Sequence, residues 1–212
     1  MNAVRLMLWK VWDMVYPKLV GLRYVDKNGG NIFRVALRKY KGPKLNCSDG
    51  TEICNGDLVG ELHLYNLGLL EKLKHTDNEA KWAIITLQEV RKSLLSLAAY
   101  LCNDHQGKRM KAIVARTVLH RGARQLGFDV QDIQSGLYSA IKIPYLRWIF
   151  KFCHPNGTER LKRGREKLVP KYVFVSREAL IDRYAHLKPV NQPTSYERDY
   201  LDFALLLEKL TD

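Results

Sequence analysis

Gly56-Asp57-Leu58-Val59-Gly60-Glu61-Leu62-His63-Leu64-Tyr65-Asn66 reads as a β-strand entered from a tight turn. Leu62 and Leu64 alternate with Glu61, His63 and Tyr65, and a period of two sends the two sets to opposite faces of a sheet. One face is apolar and seeks a core. The other presents a carboxylate, an imidazole and a phenol. Neighbours two apart on a strand sit roughly 6–7 Å from each other, close enough to act on one ligand. Glu61 next to His63 favours the charged imidazole and suits it to general acid or base work. His63, Glu61 and Asp57 are therefore the catalytic candidates, with Tyr65 and Asn66 as ligand-binding candidates. A half-buried strand also shows a solvated polar face without any function, and that alternative stays open.

Upstream of this strand the signals are also those of strands and turns. Leu19 to Val25 is short and apolar, and Asn28-Gly29-Gly30-Asn31 reads as a hairpin turn. Ile32, Val35, Leu37 and Tyr40 follow, interleaved with Arg34, Arg38 and Lys39. Asp49-Gly50 and Asn55-Gly56 mark two more turns, so the first third is expected to be an antiparallel meander. Ahead of it, Val4, Met7, Leu8, Val11, Met14 and Val15 share one face of a helix that Pro17 ends. Trp9, Trp12 and Tyr16 beside Arg5 and Lys10 fit either a core-capping helix or one lying in a lipid headgroup region.

Downstream the period changes to that of helices. A short helix is expected over 67–75 and a long one over 77–103, with Leu87, Val90, Leu94, Leu97, Ala98 and Leu101 at helical spacing. A strand over 111–119, a short helix over 120–126 ended by Gly127, and a strand over 128–133 come next. Residues 138–152 are aromatic and apolar, and 156–167 form a basic connection. Lys171 to Val175 is a strand, and Ser176 caps a helix through Tyr184. The fold class is α+β, an antiparallel or mixed sheet packed with helices. Residues 1–187 form one domain, and 188–212 a linker with a C-terminal amphipathic helix.

A second constellation runs from Arg116-Thr117 to His120-Arg121-Gly122-Ala123-Arg124. A strand entering a helix start offers backbone N–H groups to an anion. Arg121 and Arg124, three apart, would then grip a phosphate or carboxylate from one helix face. Arg116, Thr117, Arg121 and Arg124 are therefore ligand-binding candidates. A plain surface helix is the competing reading.

Composition bounds what these groups can be for. Hydrophobic residues make up 46% and charged residues 27% of the 212, which excludes a disordered chain. Lys and Arg number 35 against 22 Asp and Glu, a formal charge of +13. Such a field draws in phosphates, anionic lipid surfaces or acidic polymers. Residues 4–15 are too short and too charged for a transmembrane helix and lack a signal-peptide cleavage pattern. A cytoplasmic protein is expected, peripheral to the inner face of the membrane if the first helix is interfacial. Cys47 and Cys54 flank a tight turn and could face each other across a hairpin, whereas Cys102 and Cys153 look like core filling; four reduced thiols are the expected state. No spaced Cys and His set appears, so no metal site is expected.

The order of Ser48-Asp49-Gly50-Thr51, Gly56-Asp57 and Glu61-Leu62-His63-Leu64-Tyr65-Asn66 is similar to the YkoP-like family of Gram-positive bacteria. Thr117-x-Leu119-x-Arg121-Gly122, Leu126-Gly127-Phe128 and Pro170-x-Tyr172-x-Phe174-x-Ser176 carry the same likeness, which runs from about Leu6 to Tyr184. Asp57, His63, Asn66, Thr117, Arg121 and Ser176 match the family's pattern. Members of that family stand alone or are joined to polysaccharide deacetylase domains, so the resemblance implies a cell-envelope setting more than a reaction. The deacetylase metal motif is absent from this chain. The succession over 58–133 also resembles the second half of GNAT-type acetyltransferases, but Asn66-Leu67-Gly68 does not supply their pyrophosphate loop.

The leading expectation is a protein of envelope polysaccharide or lipid metabolism that holds an anionic, phosphate-bearing ligand between Glu61/His63/Tyr65 and Arg121/Arg124. Catalysis, if present, would use His63 as base, Glu61 as its orienting partner and Arg121 as anion clamp. A GNAT-like acyl-CoA-dependent transferase and a basic nucleic-acid-binding module are the alternatives, and the second lacks a recognition-helix signature. No cofactor is named by the sequence.

Overall fold

The alternating stretch becomes an inner strand of a six-stranded mixed sheet. A computed structural model describes residues 21–25, 31–73, 79–117, 120, 122–133 and 169–187. The strands are β1 (Leu22–Val25), β2 (Phe33–Lys39), β3 (Leu45–Asn46), β4 (Glu52–Ile53), β5 (Leu58–Leu64), β6 (Ala112–Thr117), β7 (Asp129–Asp132) and β8 (Lys171–Ser176). The sheet order is β1-β2-β5-β6-β8-β7, with β3 and β4 paired apart as a small ribbon. The expected meander is thus divided: β1, β2 and β5 share the large sheet, while the segment between β2 and β5 folds over it. β5 pairs antiparallel with β2 and parallel with β6, and every other pairing is antiparallel.

The parallel step needs a crossover, and the helices supply it. They are α1 (Asn66–Leu73), α2 (Glu79–Asn103) and α3 (His105–Lys108), with α4 (Arg177–Tyr184) following β8. In α2 the side chains of Leu94, Leu97, Ala98 and Leu101 recur three and four apart and are fully buried. They pack with Val35, Ile113, Val173, Val175 and Leu180 to form the larger core, between α2, α4 and one face of the sheet. Ser93 lies in the same stripe, and its hydroxyl accepts the Ile32 N–H at 2.9 Å, tying the helix to the start of β2. Ser176, buried at the end of β8, caps α4 by accepting the Ala179 N–H at 2.9 Å and donates its own proton to Asp49.

Gly107 lets α3 turn tightly against the end of α2. A β-carbon there would stand 2.4 Å from the Tyr100 carbonyl oxygen and 2.9 Å from Leu101 Cα. On the opposite face of the sheet, Tyr40, Leu45, Cys47 and Ile53 pack over Val59, Ala112, Val114, Tyr172 and Phe174 in a second core. The β3–β4 register sets Leu45 opposite Ile53 and Asn46 opposite Glu52, and the Cys47 N–H donates to Thr51 across the turn. Cys47 therefore does not face Cys54 across the ribbon. The first is buried, the second is exposed, and both are free thiols.

Both outer strands are short. β1 shifts register between Leu22 and Tyr24, and β7 carries Asp129 and Asp132, the latter paired with Lys171 at 2.8 Å. One expected element is corrected. Residues 122–127 form successive tight turns, not a helix, with Gly122 at φ +77° and Gly127 at φ +84°. A left-handed residue at the third position of the expected 120–126 helix prevents helical bonding from propagating. The readings of residues 1–20, 138–152, 156–167 and 188–212 lie outside the described residues. Among the described residues, no helix is long and apolar enough to cross a membrane.

Candidate functional site

Among the described residues, the β3–β4 ribbon packs over part of its face of the sheet, and the part beyond it carries charged side chains. The register decides which residues meet there. His63 stands directly opposite Arg34, Glu61 opposite Ala36 and Val59 opposite Arg38. On the other side of β5, Glu61 pairs with Val114, which puts Arg116 on the same face two positions further along β6. Directly paired residues share a face, and so do residues two apart on one strand. Arg34, Arg38, Glu61, His63 and Arg116 therefore occupy one patch spread over three adjacent strands.

Glu61 is the hub of this patch. Its Oε1 accepts a hydrogen bond from Arg116 Nη2 at 2.9 Å, and its Oε2 lies 3.9 Å from His63 Nε2. The side chains of Glu61, His63 and Arg116 are 28%, 18% and 30% exposed, so the cluster is half-buried, with the His63 Nε2 atom itself on the inner side. The guanidinium of Arg34 lies over the Tyr65 ring, 3.7 Å from its centre, a cation–π contact that holds a long side chain in place. At the border with the second core, the Tyr40 and Tyr172 rings meet edge-on at 6.4 Å, and the Tyr40 hydroxyl donates to the Pro43 carbonyl at 2.8 Å. Burial first, and then Tyr172, push the Tyr40 phenol up, while Arg116 draws it back.

Burial is the largest single influence on Glu61 and pushes its carboxyl up. The Arg116 hydrogen bond and the charges of His63, Arg116 and Arg38 together outweigh it, leaving the group below its ordinary value of 4.5. The sign follows. A carboxyl depressed by folding contributes stability that is complete above the unfolded value and is lost as pH falls through the folded one. Melting temperatures of wild type and Glu61→Gln should therefore run parallel above pH 4.5, and wild type should fall more steeply below it. Parallel curves throughout would show that the Glu61 charge contributes nothing to the fold.

The structure brings Glu61, His63, Tyr65 and Arg116 together, and it places Asp57 and Thr117 apart from them. Asp57 precedes β5, about 20 Å from His63 at the rise of an extended strand. Its carboxylate accepts the Cys54 N–H at 2.7 Å and an ion pair from Lys111 Nζ at 2.8 Å, and these two contacts, in that order, hold its carboxyl low. That is the geometry of a turn-closing residue. Thr117 follows Arg116 on the strand and by alternation faces the helices. Asn66 begins α1, but its side chain lies outside the described residues, as does Arg121.

Arg124 belongs to the 122–127 turns, whose Ala123 and Phe128 are buried in the helix-side core. Arg183 and Tyr184 of α4 donate to the Gln125 and Leu126 carbonyls of the same turns. The expected convergence of Arg124 with His63 is thus not formed. The arginine at Glu61 is Arg116. Arg34 and Arg38 are additions. Their spacing of four on a strand was legible in the sequence, but the register that sets them beside β5 was not. Among the described residues, no three His, Cys, Asp or Glu side chains gather as a metal site would require.

The model of the YkoP domain matches residues 2–184, nearly the whole chain. The chain belongs to the YkoP domain family. A curated YkoP relative, "Uncharacterized protein YkoP" of Bacillus subtilis (strain 168), is 30% identical over 185 residues, which is 87% of this chain and 98% of the relative. No solved structure matches the chain. The whole charged patch, from Arg34 to Arg116, lies within the matched YkoP region, and residues 185–212 follow it.

Proposed function

We propose that the charged face of the sheet binds an anionic, phosphate-bearing ligand of cell-envelope polysaccharide or lipid metabolism. One observation carries this reading: among the described residues, half-buried Arg34, His63 and Arg116 and the exposed Arg38 share a face of the sheet with one carboxylate, Glu61. Guanidinium groups fixed by a ring or a carboxylate are pre-oriented forks for phosphate oxygens. The +13 formal charge adds a long-range pull on the same class of ligand. The envelope setting rests on the family, whose members stand alone or are joined to polysaccharide deacetylase domains. On this reading the protein works in the cytoplasm, and anionic lipid at the inner membrane face is one source of ligand.

Where the bound molecule is also turned over, His63 is the proton-transfer group, because it is the titratable base within the patch. The 3.9 Å separation of His63 from Glu61 is a charge contact longer than a hydrogen bond, so Glu61 serves Arg116 first. The GNAT-like alternative is weaker because Asn66-Leu67-Gly68 does not supply the pyrophosphate loop of that family.

The direct test is calorimetric titration of the full chain with inorganic pyrophosphate over a salt series. Saturable binding that weakens as salt rises is expected. Absence of binding at low salt would defeat the reading. A steep salt slope with duplex DNA that His63→Ala leaves unchanged would favour a nucleic-acid module instead.

A further inference from the structure

The carboxylate at the centre of a cationic patch is the feature that anion binding alone leaves unexplained. A site built only to hold an anion gains nothing from an acid of its own, because like charges repel at short range. Yet Glu61 sits where the ligand's anionic group would have to sit. One of its oxygens takes the hydrogen bond of Arg116 Nη2 at 2.9 Å, and the other faces His63 Nε2 at 3.9 Å. Arg38 adds its charge to the same carboxylate. A phosphate or carboxylate group offers two oxygens at a spacing close to that pair. The Glu61 side chain is 28% exposed and long enough to swing outward about its own strand position.

We infer that Glu61 is an internal stand-in for the ligand, occupying Arg116 and His63 in the empty site and leaving them when an external anion enters. The inference rests on the anion-binding reading above and deepens it. Binding is then an exchange of one anion for another at a fixed guanidinium and imidazole, and the displaced carboxylate turns to solvent. The exchange lowers apparent affinity and rejects weak monoanions, so ligands of higher charge are selected. The shared ligand chemistry is an oxyanion with at least two oxygens on one centre. A phosphate group and a sugar carboxylate both satisfy it, and the two are separated by charge.

The test compares the full-length wild type, Glu61→Gln and Arg116→Ala in calorimetric titrations with inorganic pyrophosphate and with glucuronate. Gln keeps the shape and an acceptor for Arg116 while removing the charge, and melting above pH 6 checks that each protein is folded. Glu61→Gln should bind pyrophosphate at least tenfold more tightly than wild type. It should also gain measurable affinity for glucuronate, which wild type holds weakly. Equal or weaker binding of both probes by Glu61→Gln, with Arg116→Ala still impaired, overturns the exchange and leaves the anion site standing. Equal binding by wild type and Arg116→Ala overturns the site itself, and the exchange with it.

Discussion

Arg116→Ala should lower the affinity of the full chain for inorganic pyrophosphate by about 100-fold, the scale of one or two charge-assisted hydrogen bonds lost from a half-buried site. The expectation comes from position. Arg116 is the inner cation of the patch, anchored to Glu61 at 2.9 Å and flanked by the Tyr40 and Tyr172 end of the second core. Its fork is held with little freedom left to lose. Arg38, on an exposed stretch of β2, should matter several-fold less, because rim charges are screened. Arg116→Lys keeps the charge but not the planar fork, so it should fall between wild type and alanine. If lysine and arginine bind alike, the site reads charge alone; if alanine binds as well as arginine, Arg116 is not in the site.

The largest structural effect is expected at Gly107. Gly107→Ala should destabilise the protein by about 3 kcal/mol, the upper part of the usual range for overpacking. For a chain of this size that lowers the melting temperature by roughly 6–12 °C. A new methyl would meet the backbone oxygen of Tyr100 at 2.4 Å and the backbone of Leu101 at 2.9 Å. Backbone cannot change rotamer to make room. Leu101 is also a fully buried member of the main core, so any shift is passed to the packing of α2 against the sheet. Lys108→Ala, one residue on and exposed, should stay within about 0.5 kcal/mol. Two variants melting together would show that α3 moves aside without cost.

Much of this was legible because local periodicity was strong. The alternation from Leu58 to Leu64 gave β5 and its polar face, and the leucine spacing of 94, 97 and 101 gave the buried stripe of α2. Ser176 as a helix cap followed from residue type and position. Site assembly was less legible, for three physical reasons. Register between distant strands is set by the whole sheet, so nothing local to Arg34 shows that it faces His63. Arg116 and Thr117 are adjacent, and a strand can give only one of them to the charged face. Arg124 depended on a helix that Gly122, at φ +77°, does not allow to form.

The outer strands carry a consequence for behaviour in concentrated solution. A sheet stays soluble only if its margins refuse further pairing. Here one margin, β1, is four residues long and irregular in register, which breaks the even comb of hydrogen-bonding groups that a second molecule would need. The other, β7, is equally short, with Asp129 held by the Ser48 N–H and Asp132 by Lys171. Growth into ribbons or fibrils from either side is therefore disfavoured in the native state, even with a β-rich interior and an excess of positive charge.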